Sequence, residues 1–128
     1  MTSEPSFFDL VGGQDTFAKL TQVFYNGVAT DVVLKPMYPE ADLEPARERL
    51  QLFLEQYFGG PTTYSDTRGH PRLRMRHHPY RINPDARERW LAHMTSAVDS
   101  LELPPLQREV MMDYFTRAAT AMLNTFED

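Results

Sequence analysis

Residues 49–77 read RLQLFLEQYFGGPTTYSDTRGHPRLRMRH, and the two halves of that stretch behave differently. In the first half Leu50, Phe53, Leu54, Tyr57 and Phe58 recur at i, i+3, i+4, i+7 and i+8. That spacing lays one apolar face along a helix. Gly59-Gly60-Pro61 then stops the helix, because glycine takes the left-handed C′ position at little cost and proline cannot continue the turn. From Pro61 to Asn83 the chain is polar with little helical periodicity. A connection of that length in a small domain is commonly functional.

Outward from this stretch, proline divides the chain. The ten prolines stand at 5, 36, 39, 45, 61, 71, 79, 84, 104 and 105, leaving proline-free windows at 6–35, 46–60, 85–103 and 106–128. Proline inside a helix loses a hydrogen bond and clashes with the preceding turn, so these windows are where helices can run. Each has helical spacing: Phe17, Leu20, Phe24 and Val28 in the first; Trp90, Met94, Ala97, Val98 and Leu101 in the third; Met111, Tyr114, Phe115, Ala118 and Met122 in the fourth. Gly12-Gly13 separates a short aromatic segment, Phe7 and Phe8, from the first long helix. Asn83-Pro84-Asp85 reads as N-cap, first helical residue and an acid on the positive helix end. The short connection through Leu103-Pro104-Pro105 makes the third and fourth helices antiparallel neighbours. No stretch alternates with period 2, so the predicted fold class is all-α.

Composition narrows the classes. With 128 residues, 41% hydrophobic and 24% charged, the chain suits one soluble globular domain over residues 1–128. Its net charge of −5 is too balanced for a disordered chain. The absence of cysteine excludes disulfides, zinc fingers, a thiol nucleophile and covalent C-x-x-C-H haem attachment. No apolar run approaches the ~20 residues that span a bilayer, and MTSEPSFF lacks the features of a signal peptide. The expected location is the cytoplasm, with no membrane partner.

Charge is concentrated in one place. Residues 68–81 hold Arg68, Arg72, Arg74, Arg76 and Arg81 with no acid, leaving eight basic and eighteen acidic residues elsewhere. His70, His77 and His78 lie in the same stretch. Arginine forks suit carboxylates and phosphates, and imidazole is a common metal ligand. Composition alone allows two other readings: a solvated basic loop, or a helical module that binds nucleic acid or another polyanion through 68–81. The acidic balance and the lack of a recognition motif count against nucleic acid. Metal-only and triad chemistry are poorly supported, since H-x-x-x-H, H-E-x-x-H and G-x-S-x-G are all missing. His93, one turn after Trp90, reads as a surface or satisfied core histidine. Tyr25, Tyr38 and Trp90 sit beside apolar faces, and a buried phenol or indole needs a hydrogen-bond partner. A large apolar ligand with a polar centre, such as haem, would use Phe and Met walls, an imidazole and peripheral arginines.

The residues match a known pattern over nearly the whole chain: FFDLVGG near the start, FY at 24–25, MYPE at 37–40, the 49–77 stretch, HPYRI at 78–82 and Trp90. The sequence resembles the group II (O-type) truncated haemoglobins. That resemblance implies a two-over-two globin fold with a long, weakly helical loop before the proximal histidine. It implies non-covalent haem b, with His77 as the fifth iron ligand and O₂ or another small diatomic ligand on the open side. Tyr25, Tyr38 and Trp90 match the family's distal polar cluster. Ala46 stands where many globins place a distal histidine, with Leu50 one turn on. Arg76 matches the propionate partner, with Arg49 and Tyr64 as further candidates on that edge, and Phe53, Leu54, Met37, Leu73 and Met75 are expected cofactor contacts. The resemblance carries haem and ligand binding, and points less specifically to nitric oxide dioxygenase or peroxidase-like redox activity with an unknown reductase. It is compatible with a homo-oligomer. Phe58, where relatives can carry tryptophan, and His78, at a variable position, depart from the pattern.

Overall fold

A computed structural model of the protein describes residues 5–69 and 82–123. The described residues form six α-helices and one 3-10 turn, with no strand among them. These are α1 (Phe7–Leu10), α2 (Gln14–Val28), the turn Lys35–Met37, α3 (Glu44–Tyr57), α4 (Thr63–Arg68), α5 (Pro84–Ser100) and α6 (Pro105–Ala121).

The punctuation acts locally as the residue types dictate. Asn83 caps α5, its side chain accepting the Ala86 N–H at 2.8 Å, and Pro84 follows in the first turn. Pro45 likewise occupies the first turn of α3, where it displaces no hydrogen bond, so that helix begins before the proline-free window. Gly59 follows the end of α3 with φ +94°, a conformation that an L side chain would strain. Ser6 caps α1, and the Phe8 N–H donates to the Phe58 carbonyl at 2.9 Å, tying the N-terminal segment to the end of α3.

Phe17, Leu20, Phe24 and Val28 of α2 are fully buried against Met94, Ala97 and Val98 of α5 and Met111 and Phe115 of α6 in one core. α2 packs on both α3 and α5, and α5 on α6. Burial of side chains of this size, at roughly 1.5–3 kcal/mol each, is what holds the helices together.

Two expectations need correction. The α3 face is not simply apolar: Tyr57 is 48% exposed, while Gln51 and Glu55 are buried. A polar ladder explains their burial. Arg47, paired with Glu44, donates to Thr21 Oγ1 of α2 at 3.2 Å and to Gln51 Oε1 at 2.6 Å, and Gln51 Nε2 donates to Glu55 at 2.8 Å. Because these groups satisfy one another, α3 presents polar side chains to α2 and keeps its apolar residues for the other side. The second correction concerns the polar connection, whose beginning is helical as α4. Its six residues lack apolar periodicity, but Gln56 of α3 grips Ser65, accepting its N–H at 2.9 Å and donating to its Oγ at 2.6 Å, and Tyr64 is buried. Tertiary contacts override weak local propensity here.

Candidate functional site

The side chains that α3 turns away from α2 help to enclose a cavity of about 540 Å³, within the range that holds small molecules and cofactors. α3 contributes Ala46, Arg49, Leu50, Phe53 and Leu54. Tyr25 comes from the last turn of α2, and Leu34, Met37 and Tyr38 from the 3-10 turn and its flanks. α4 brings Tyr64 and Arg68; α5 brings Ala86, Arg87 and Trp90; α6 adds Tyr114, Phe115 and small alanines.

The three polar aromatics lie within one chain of ring contacts. Tyr25 meets Tyr38 edge-on with ring centroids 5.6 Å apart, and Phe24 at 4.9 Å. The Trp90 indole is held edge-on by Phe24 at 5.5 Å and by Phe115 at 6.0 Å. Burial pushes the Tyr25 phenol far above its ordinary range, and the neighbouring Tyr38, through charge and a hydrogen bond, pushes the same way; Arg49 opposes them weakly. Tyr25 therefore keeps its proton at any physiological pH and stays a donor. Burial likewise raises the Tyr114 phenol to about 12, with Tyr57 adding to the effect.

Among the described residues three arginines line the cavity. Arg49 lies 3.7 Å from Glu40, a loose and partly exposed pair that contributes little on its own. Arg87 donates to Thr120 Oγ1 at 3.1 Å and pairs with Glu88. Tyr64 meets Phe53 edge-on at 5.5 Å, so the aromatic wall continues toward Arg68.

The structure thus brings Tyr25, Met37, Tyr38, Ala46, Arg49, Leu50, Phe53, Leu54, Tyr64 and Trp90 to one cavity. His77, Leu73, Met75 and Arg76 lie outside the described residues, as do His70 and His78. Sequence reasoning did not single out Arg68 or Arg87 as cavity residues. Arg68 was visible only as one end of the basic run, and nothing in the order of residues marks Arg87. His93 is satisfied by an acid, its Nε2 2.7 Å from Asp31 Oδ2. Among the described residues no helix is long and apolar enough to cross a membrane.

Comparison with known proteins finds relatives over nearly the whole chain. The bacterial-like globin family matches residues 6–124. A group 2 truncated hemoglobin of Bacillus subtilis (strain 168) is 37% identical over 115 residues, 90% of this chain and 86% of that protein. A thermostable hemoglobin of the actinobacterium Thermobifida fusca is 58% identical in sequence, and its crystal structure superposes with a TM-score of 0.94 over 96% of this chain and 100% of that one. The group II truncated hemoglobin of Bacillus anthracis is 33% identical, with a TM-score of 0.93 over 99% of this chain and 97% of that one.

Proposed function

The chain belongs to the bacterial-like globin family, as a group II truncated haemoglobin, and from that premise we propose that it holds one non-covalent haem b and binds O₂ and other small diatomic ligands beside Tyr25, Tyr38 and Trp90. The observation that carries this reading is the convergence of those three donors, from three separate elements, on a cavity walled otherwise mainly by aromatic and aliphatic side chains.

The residues present suit the group. Phe53, Leu54, Met37 and Leu50 offer an apolar wall to a flat porphyrin. Arg49, Arg68 and Arg87, with Arg76 from the family motif, offer cations to its carboxylates, which are costly to bury unpaired. Tyr64 stands on the α4 side of the same wall. His77 is assigned to the iron from the motif, with Leu73 and Met75 as neighbouring contacts. When bound, haem supplies an iron that takes a diatomic ligand on its open face and can exchange electrons.

The chain's own contribution is electrostatic. Burial keeps Tyr25 protonated beside Tyr38, so phenol protons stand at the cavity before any ligand arrives. The indole N–H of Trp90 can only donate. Donors fixed in a dry pocket stabilise partial negative charge more strongly than donors in water. Ala46 neither donates nor obstructs, which leaves that work to the two tyrosines and the tryptophan. A ligand held this way leaves slowly, which suits reactive-species chemistry such as nitric oxide dioxygenation or peroxide-dependent turnover better than bulk oxygen delivery. Nitric oxide dioxygenation would need a reductase as partner, and peroxide-dependent turnover a reducing substrate.

Adding hemin to the purified protein tests the reading. An intense Soret band that saturates at one haem per chain supports it, and a spectrum without that band defeats it. His77→Ala is expected to lose stable haem capture, and unchanged capture would move the iron ligand to another residue. Mixing the ferrous, oxygenated protein with nitric oxide, or the ferric protein with peroxide and a reducing substrate, then separates the two reactions.

A further inference from the structure

Tyr25, Tyr38 and Trp90 come from three elements, and something must fix their spacing. Asp31 touches all three elements. It lies three residues beyond the end of α2, with a side chain 5% exposed. Its Oδ1 accepts the Val33 and Leu34 N–H groups at 2.9 and 3.0 Å, and its backbone carbonyl accepts the Lys35 N–H at 3.0 Å. The Lys35 carbonyl in turn accepts the Tyr38 N–H at 3.1 Å, so an unbroken run of hydrogen bonds leads from Asp31 to the residue carrying one phenol.

The same carboxylate also grips α5. Oδ2 lies 2.7 Å from His93 Nε2, and Oδ1 accepts from Arg89 Nη1 at 3.3 Å. Trp90 sits between these two residues in sequence, within the same turn of helix. Arg89 is steadied by Asp85 at 3.0 Å. On the α2 side the His93 ring lies flush against Gly27, where a Cβ would run into Nδ1. Gly27 is two residues after Tyr25. Toward its C-terminal half α5 is held to the core by Met94, Ala97 and Val98, all fully buried. Such contacts exclude water but are not directional, whereas hydrogen bonds to one carboxylate fix atoms. Near Trp90, α2 and α5 thus meet through the edge-on Phe24 ring at 5.5 Å, and the directional contacts beside it are those made by Asp31.

We propose that Asp31, acting through His93 and Arg89 on one side and the Val33–Leu34 amides on the other, is the positioning residue that sets the distance between the Trp90 indole and the Tyr25–Tyr38 phenols. In its consequence for ligand binding this rests on the haem reading above. The geometric claim about Trp90 stands apart from it.

The test uses the full chain with Asp31→Asn, His93→Leu and His93→Gln. Trp90 is the only tryptophan, so acrylamide quenching of its fluorescence in the haem-free protein reports its setting directly. In the haem-loaded ferrous protein, the C–O stretch of bound carbon monoxide reads the field of the distal donors, and O₂ dissociation reads their strength. Asp31→Asn and His93→Leu are expected to increase quenching, to split or shift the C–O band, and to speed O₂ release roughly threefold to tenfold. His93→Gln, which can still donate to Asp31, is expected to stay near the parent protein. Wild-type quenching, C–O band and release rate in His93→Leu would overturn the proposal. His93 is partly exposed, so this variant decides the matter even if Asp31→Asn does not fold. If the parent protein shows no Soret band, the haem reading fails, while quenching still judges the role of Asp31.

Discussion

The two ends of α2 are anchored by different physics. At the N-terminal end Phe17 is fully buried, stacked on Phe8 at 5.6 Å and tilted against Phe58 at 5.8 Å, with Leu20 fully buried one turn on. Beyond the C-terminal end, past Tyr25 and Val28, a single carboxylate gathers amide, imidazole and guanidinium hydrogen bonds. Apolar packing rewards volume and tolerates small rotations of its members. Hydrogen bonds to a buried carboxylate do not. The first end serves chiefly to keep the chain folded, and the second to place donors around the cavity.

The largest effect that could break this division is expected from Phe17→Ala. Emptying so buried a ring site should cost about 3–5 kcal/mol in urea unfolding, while O₂ release from the remaining folded, haem-loaded protein stays within about twofold of the parent. A release rate that climbs along with the lost stability would merge the two ends into one.

Next in size are the donors themselves. Trp90→Phe and Tyr25→Phe each remove one hydrogen bond worth ~1.5 kcal/mol, so O₂ should leave roughly tenfold faster from each, as followed by stopped-flow absorbance. Unchanged rates in both would take these residues out of the ligand site.

A smaller effect sharpens the comparison through its sign. Gly→Ala inside a helix ordinarily stabilises by about 1 kcal/mol. Gly27→Ala should do the opposite, because the new methyl would collide with the His93 ring. Combined with His93→Ala, the same change should become stabilising. A double-mutant cycle in urea reads the reversal, and additive effects would mean that the α2–α5 approach is not set at this point.

The last effect is one of pH. Burial would raise the Asp31 carboxyl, but the His93, Leu34 and Val33 hydrogen bonds, with Arg89, outweigh it and lower the group from 3.8 to about 2. A depressed folded-state pKa means stability that is present above the unfolded value and lost as pH falls through the folded one. Asp31→Asn should therefore show its full deficit in urea titrations from pH 7 down to 5. That deficit should shrink between about pH 4 and pH 2. A deficit that keeps its size through that window would separate it from ionisation of this carboxylate.

The parts of the molecule legible from residue order were those governed by local rules. Proline placement and apolar spacing located α2, α3, α5 and α6, and Asn83 and Gly59 marked boundaries because capping and positive φ depend on residues close by. α4 was hidden because Gln56, outside it, holds it in place. The burial of Gln51 and Glu55 was not legible, since nothing local announces that Arg47 and Thr21 will satisfy a buried ladder. Tyr57 fitted the apolar spacing, yet it lies half exposed across Tyr114 with ring centroids 4.0 Å apart. In the site, Tyr25, Tyr38 and Trp90 could be singled out as aromatics that need partners. Asp31 could not, because its tie to His93 spans 62 positions and exists only once α2 and α5 have packed.

Most directly at stake is whether phenol and indole donors act on a ligand in this cavity. O₂ dissociation from the ferrous, haem-loaded protein, compared with that from the combined Tyr25→Phe, Trp90→Phe variant, measures it. Slow release from the parent and a rate at least tenfold higher in the variant is the expected result. Equal rates, with haem fully bound in both, would contradict the account.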